Sequence, residues 1–331
     1  MSKRFIYIIP IGIILILIAG LRPVGLDRDS LAYVNAINSF TSLFESNFNL
    51  EPSFWLIVAI NKYLFGNYYV RMVFITYAIL GVFFKLYGIK KLSLLPLLSI
   101  FIYISYYFIL HEMTQIRVGV ACGIFLLAIP DIFNRNLKAY LLKTILATLF
   151  HYSAIAMVSM YFINPTKLNK KFYLAIPLLG LVFAFVPYIG KTLLNILIPL
   201  FPSILSHKLS IYQQLTELGV GNFNKINLFN LYYTSITILY LFFVLNYSKF
   251  KSKYDLILIK ILGWAIFVWY FFSFMPVLSF RVSEFLGIVI IILLADSVPI
   301  FKDKIIASEI VIIYVALNSI NMVFIHRLLN L

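Results

Sequence analysis

The sequence predicts an all-α fold, a polytopic transmembrane helical bundle of about eleven spans plus one or two re-entrant or half-helices. Three observations carry that prediction. Of 331 residues, 63% are apolar and only 12% are charged, where a soluble domain holds about 25% charged residues. The apolar residues are gathered in blocks of about 17–23, the length that crosses roughly 30 Å of hydrocarbon. No polar stretch is long enough to fold as a separate soluble domain, so residues 1–331 read as a single integral membrane domain.

Taken in order, the apolar runs lie at about 5–21, 70–87, 94–110, 117–133, 140–162, 172–189, 228–247, 256–275, 284–301 and 305–325. Two further runs, about 52–65 and 192–205, are short for a span. Pro52 opens the first, and Pro199 and Pro202 interrupt the end of the second. Proline at a helix start costs little, whereas inside a helix it kinks or ends it. Either run reads as a half-helix, tolerated at membrane depth where protein or water covers its backbone. Lys3-Arg4 before the first run has the pattern of a signal peptide, but the many spans downstream favour an uncleaved first helix.

The loop charges set a topology. With a cytoplasmic amino terminus, a non-crossing 52–65 and a crossing 192–205, most cations fall inside, as the positive-inside rule prefers. These are Lys85/Lys90/Lys91, Arg135/Lys138, Lys249/Lys251/Lys253 and Lys302/Lys304; Lys167, Lys170 and Lys171 go the other way. Segments 22–51, 111–116, 163–171, 206–227 and 276–283 then lie outside, the longest being the outer loops 22–51 and 206–227. The net charge of +15 is thereby assigned to topology and lipid headgroups, and nucleic-acid binding is not expected. The single cysteine, Cys122, excludes an intramolecular disulfide.

Candidate chemistry clusters beside these outer segments. The first carries Arg22, Asp27, Arg28 and Asp29. Asp27-x-Asp29 has the hard oxygen ligands that suit a divalent cation, yet short D-x-D patterns arise by chance and no metal site is called. Glu51 precedes Pro52, where a carboxylate either favours the helix dipole or serves as a general base. Arg117 opens an apolar run, where an arginine either snorkels or offers its planar fork to a phosphate. His151 lies about 16 Å into its run, at a depth where polar groups are costly and often functional. Arg281 and Glu284 mark the start of a late span, pairing with one another or, for Arg281, binding phosphate. The chain has no Gly-rich phosphate loop, no H-E-x-x-H, no G-x-S-x-G and no Cys/His cluster, so no cofactor is expected.

These segments, in this order, resemble the EpsG family of Wzy-like polysaccharide polymerases. The matching pieces are Gly20-Leu21-Arg22 … Val24-Gly25 … Asp27 … Tyr33, then Glu51-Pro52, Gln115-Ile116-Arg117 … Ala121, Phe150-His151-Tyr152-Ser153-Ala154 and Arg281 … Glu284-Phe285. The resemblance implies polymerisation of oligosaccharide units carried on undecaprenyl pyrophosphate, for O-antigen, capsule or exopolysaccharide. It implies a multi-pass protein of the bacterial cytoplasmic (inner) membrane working at the outer face. Its partners would be a lipid-linked oligosaccharide donor and acceptor, membrane lipids and a chain-length regulator. In such a reaction Arg117 and Arg281, assisted by Arg22 or Arg28, are the candidates for binding pyrophosphate. Asp27, Glu51 and His151 are the candidates for activating the acceptor hydroxyl, without a metal. Two other classes compete. One is a membrane glycosyltransferase or ligase with a single lipid-linked donor. The other is a transporter or flippase of lipid-linked sugars, for which related halves and cations on both sides would be expected.

Overall fold

A computed structural model describes residues 7–42, 50–200, 203–219, 226–325 and 329. Lys3 and Arg4, the stretch 43–49 of the first expected outer loop and 220–225 of the second lie outside the described residues. The described residues are helical almost throughout and form no β-strand beyond an isolated bridge between Asp27 and Leu329. Large apolar side chains stay exposed along whole helix faces. Ile9, Ile13, Leu17 and Leu21 follow one another along the first helix, and Ile306, Ile310, Ile313 and Leu317 along the last. A water-soluble monomer rarely exposes so continuous a stripe, whereas a lipid bilayer solvates it.

Three segments are long and apolar enough to cross a membrane, Pro52–Leu92, Pro96–Thr114 and Ile116–Phe133, or up to five if each of two bent helix pairs counts as one span. Among the described residues, the runs 5–21 and 228–247 hold the shorter apolar helices Ile8–Leu21 and Leu231–Leu245. The segment Pro52–Leu92 is not one rod. It doubles back at Gly66, whose φ of 51° suits a residue without a Cβ. The Thr76 hydroxyl donates to Asn61 Oδ1 at 3.3 Å, which a continuous helix would hold far apart. The short run 52–65 is thus a 14-residue arm, α3 (Pro52–Phe65), covering about 21 Å and leaning on α4 (Tyr69–Leu92).

The chain divides into two compact units, Met1–Tyr161 with Ile291–Leu331, and Phe162–Ile290. In the first, α1 (Ile8–Leu21) and α6 (Ile116–Phe133) both pack on α4. Glycines set the spacing. A Cβ at Gly123 would come within 2.6 Å of Phe84 Cβ, and one at Gly88 within 2.8 Å of Leu126 Cβ, so α4 and α6 run parallel at close range. A short α2 (Ser30–Asn38) follows the first loop. α5 (Pro96–Ile102) continues as a π-helix over Tyr103–Thr114, ending at Gln115. The segment 111–116, expected as a loop, is therefore mostly helix. The run 140–162 is broken as well: α7 (Leu137–Phe150) stops at His151, followed by a 3₁₀ turn and α8 (Met157–Met160). Lys85, which the sequence groups with the inner-loop cations, lies inside α4 with no exposed surface.

The second unit contains α9 (Lys170–Phe185) and α10 (Pro187–Leu197), bent by 94° at Val186–Pro187. It also holds α11 (Ser203–Leu218), α12 (Leu231–Leu245), α13 (Asp255–Phe271) and α14 (Pro276–Gly287). Expected outer segments are helical here too: α11 takes up much of 206–227, and 276–283 begins α14. Tyr233 and Trp269 stack at 3.6 Å, and Ser279 Oγ donates to the Trp269 carbonyl. Returning to the first unit, α15 (Ile290–Ser297) presents Asp296, which accepts from Ser93 Oγ at 2.8 Å and from the Leu94 amide at 2.9 Å. A final helix, α16 (Lys304–Ile320), starts at the Asp303 cap.

Candidate functional site

The first loop is built around Asp27. One carboxylate oxygen accepts the backbone amides of Asp29 and Ser30 at 3.0 and 2.9 Å, and the other accepts Arg22 Nε at 2.9 Å. The Ser30 hydroxyl takes the Gly25 amide, and Gly25 sits at φ 93°. Arg22 also donates Nη1 to the Ala19 carbonyl at 2.5 Å, while its buried Nη2 has no hydrogen-bond partner. Both side chains are almost wholly buried. Arg71, which the sequence reading passed over, reaches from α4 to the carbonyls of Arg22 and Gly20 at 2.6 and 3.4 Å. Asp27 therefore holds its own turn together with both oxygens occupied. Arg28, between the two aspartates, is exposed.

Glu51 behaves differently. It stands at the N-cap of α3 in an extended conformation, yet its side chain makes no capping bond. The carboxylate turns inward instead. Oε2 pairs with Arg117 Nη1, and Oε1 lies 3.0 Å from His151 Nδ1 and 3.4 Å from the Tyr152 amide. One carboxylate thus gathers residues 66 and 100 positions downstream. The break in α7 makes this possible. Phe150-His151-Tyr152-Ser153 contains neither glycine nor proline, yet His151 adopts φ −158°, ψ 129°. That extended residue turns its ring, and the Tyr152 amide that follows it, onto Glu51. Where the helix breaks, Glu51 accepts the Tyr152 amide at 3.4 Å.

Arg117 lies on the first turn of α6, with its guanidinium 5.6 Å from the Tyr33 ring centre. Its side chain is 15% exposed against 1% for Glu51, and its Nε is buried without a hydrogen-bond partner. Since Glu51 takes Nη1, the Nε–Nη2 edge faces away from the carboxylate, and that edge is the fork that grips two oxygens of a phosphate. Tyr33 packs on Phe74 at 6.5 Å, and Phe74 in turn lies 4.8 Å below the Arg22 guanidinium. The loop pair and the Glu51 cluster are thereby neighbours across two aromatic rings.

Arg281 belongs to the second unit, on α14, where Nη1 donates to the Tyr212 hydroxyl and the guanidinium covers that ring at 5.2 Å. Of the seven residues singled out from the sequence, Glu51, Arg117 and His151 are in direct contact, and Arg22 and Asp27 form the adjoining pair.

One buried pair escaped the sequence reading. Lys85 Nζ donates to Glu112 Oε1 and to the Gly119 carbonyl, with 0% and 1% side-chain exposure for the two ions. The signal was present, because Lys85 falls inside the run 70–87 and intramembrane ions seldom stand without a role.

The family model described as the EpsG family matches residues 5–330. No curated protein and no solved structure matches the chain.

Proposed function

The chain belongs to the EpsG family, which is associated with polysaccharide polymerases, and from that premise we propose that it joins undecaprenyl-pyrophosphate-linked oligosaccharide repeat units. The reaction would proceed at the outer face of a bacterial cytoplasmic membrane, in a single membrane domain of about eleven spans with loops 22–51 and 206–227 outside. A lipid-linked donor and a lipid-linked acceptor are its substrates, and a chain-length regulator its partner.

The observation that carries this reading is the Glu51 bridge. A carboxylate on Nδ1–H fixes the imidazole tautomer and leaves the Nε2 lone pair to accept a proton. The acceptor hydroxyl attacks the anomeric carbon of the donor sugar, and its proton passes to His151 Nε2. The bond from that carbon to the pyrophosphate oxygen breaks, and the lipid pyrophosphate leaves with the electron pair. Arg117, aimed by Glu51 and keeping its second fork edge, stabilises the charge that grows there; one oriented donor of this kind is worth about 2.7–4 kcal/mol. The buried Nη2 of Arg22 offers a further donor to the pyrophosphate, and Arg281, in the second unit, stays a phosphate-binding candidate by its residue type alone. Within this scheme Asp27 positions Arg22, and the base is His151 with Glu51 as its orienting partner.

The test is to give purified protein a defined lipid-linked repeat unit, with and without a chelator. Growth of a sugar ladder unaffected by chelator supports a metal-independent polymerase. Transfer only to a foreign acceptor would make it a ligase. Movement of the unit across proteoliposomes without bond formation would make it a transporter.

A further inference from the structure

The proposed role of Arg117 requires that its guanidinium meet Glu51, and the chain just before it is irregular. Tyr103–Thr114 is a π-helix, closed at its end by the Gln115 amide on the Leu110 carbonyl at 2.8 Å. At Gln115 (φ −94°, ψ 61°) the helix breaks, and α6 begins at once, with the Gly119 amide on the Gln115 carbonyl at 3.0 Å. Arg117 sits within the first turn after this break. A π-helix is rare, appears mostly as single-turn bulges inside α-helices, and is frequent at functional sites. Relaxing one such turn to an α-turn would rotate everything beyond it by about 100°, one residue of a 3.6-residue turn, and would carry Arg117 off Glu51.

The Lys85–Glu112 pair straddles the same break. Glu112 lies three residues before Gln115, and the Gly119 carbonyl lies four after it; Lys85 Nζ, reaching from α4, holds both. The surroundings are shaped around this contact. A Cβ at Gly81 would stand 2.7 Å from Glu112 Oε1, and a Cβ at Gly119 would stand 3.3 Å from the same atom and 3.2 Å from the His111 carbonyl. Two charges buried this deeply carry a desolvation penalty that their attraction does little more than offset. Fixing register is the best-attested use of such a pair.

We propose that Lys85 and Glu112 are positioning residues that clamp the π-helix to α6 across Gln115, fixing the register that aims Arg117 at Glu51. The clamp touches no reacting atom. This inference rests on the reading of Arg117 given above, and its test reads geometry, not polymer.

The test measures the coupling between Glu51 and Arg117 in the full chain in detergent micelles. Unfolding equilibria are compared for the parent, Glu51→Gln, Arg117→Gln and the double variant. The set is made once with the clamp intact and once in Lys85→Met/Glu112→Leu, which removes both charges together. With the clamp intact, the double variant departs from the product of the single effects by about tenfold, as contacting ions do. In the neutralised background the departure falls below about twofold, the additive limit. A folded Lys85→Met/Glu112→Leu protein that keeps the tenfold coupling overturns the proposal, and so does additivity with the clamp intact. If that background does not fold, Gly81→Ala serves instead. It keeps both charges and displaces Glu112 alone, and retained coupling there overturns the proposal equally. A chain that couples Glu51 to Arg117 through the clamp yet polymerises no lipid-linked unit would remove the proposed function and leave the clamp standing.

Discussion

Two ion pairs of the first unit each join an arginine to a carboxylate and do opposite things. Arg22 and Asp27 are five residues apart, and the aspartate's two oxygens are taken by the arginine and by two amides of its own turn. Arg117 and Glu51 are 66 residues apart, and the glutamate makes no bond to its own helix start. The first pair builds a loop; the second collects side chains from three distant segments and leaves an arginine edge unclaimed. The Asp27 charge satisfies its neighbours in sequence and is architecture, whereas the Glu51 charge leaves its cap for partners far along the chain, and the proposed chemistry rests on it.

That contrast is sharpest at His151. Replacing it with Ala removes the proposed base and should lower polymer formation by about 10²–10⁴-fold, the usual contribution of a positioned base, with the amount of folded protein little changed. Measuring ladder growth per folded molecule checks this, and equal activity would place the base elsewhere. Asp27→Ala should act first on stability. Arg22 would be left buried without its counter-ion, at a cost of about 3–5 kcal/mol. Thermal unfolding in detergent should report the loss, and a protein of unchanged stability would break the distinction between the two pairs. Gly123→Ala lies in neither pair and tests the packing beneath them. Its Cβ would fall 2.6 Å from Phe84 Cβ, so a loss of about 1–3 kcal/mol is expected, read by the same unfolding experiment. Arg28→Ala is the smallest change: an exposed loop position should move stability by no more than about 0.5 kcal/mol and leave ladder growth unaltered. A large loss of activity there would bring the loop itself into contact with substrate.

The helical class was legible because composition and block length depend on the solvent the chain must meet, and lipid leaves little choice. Helix interruptions were less so. Pro52 announced the short arm α3, but nothing local in Phe150-His151-Tyr152 announces a break, which is held by a carboxylate 100 residues earlier. Glu51 was legible as a candidate, and its position before proline suggested a cap with equal force; only the fold shows that the carboxylate turns inward. Lys85 was misplaced because Lys90 and Lys91 follow it closely and the three read together as a loop cluster. One helical turn separates a buried lysine from an interfacial one, and periodicity does not resolve that. Arg281 reads from the sequence as a charge at a helix start, and its contact with Tyr212 depends on α11, which lies in a stretch whose polarity predicts a loop.

The most direct test of the account is ladder growth by Arg117→Ala and Arg117→Lys at matched levels of folded protein. The account predicts a loss of about 10²–10³-fold for Ala and a loss for Lys as well, because a single ammonium cannot replace the fork between Glu51 and a phosphate. Polymer of normal amount and length from Arg117→Ala would contradict it.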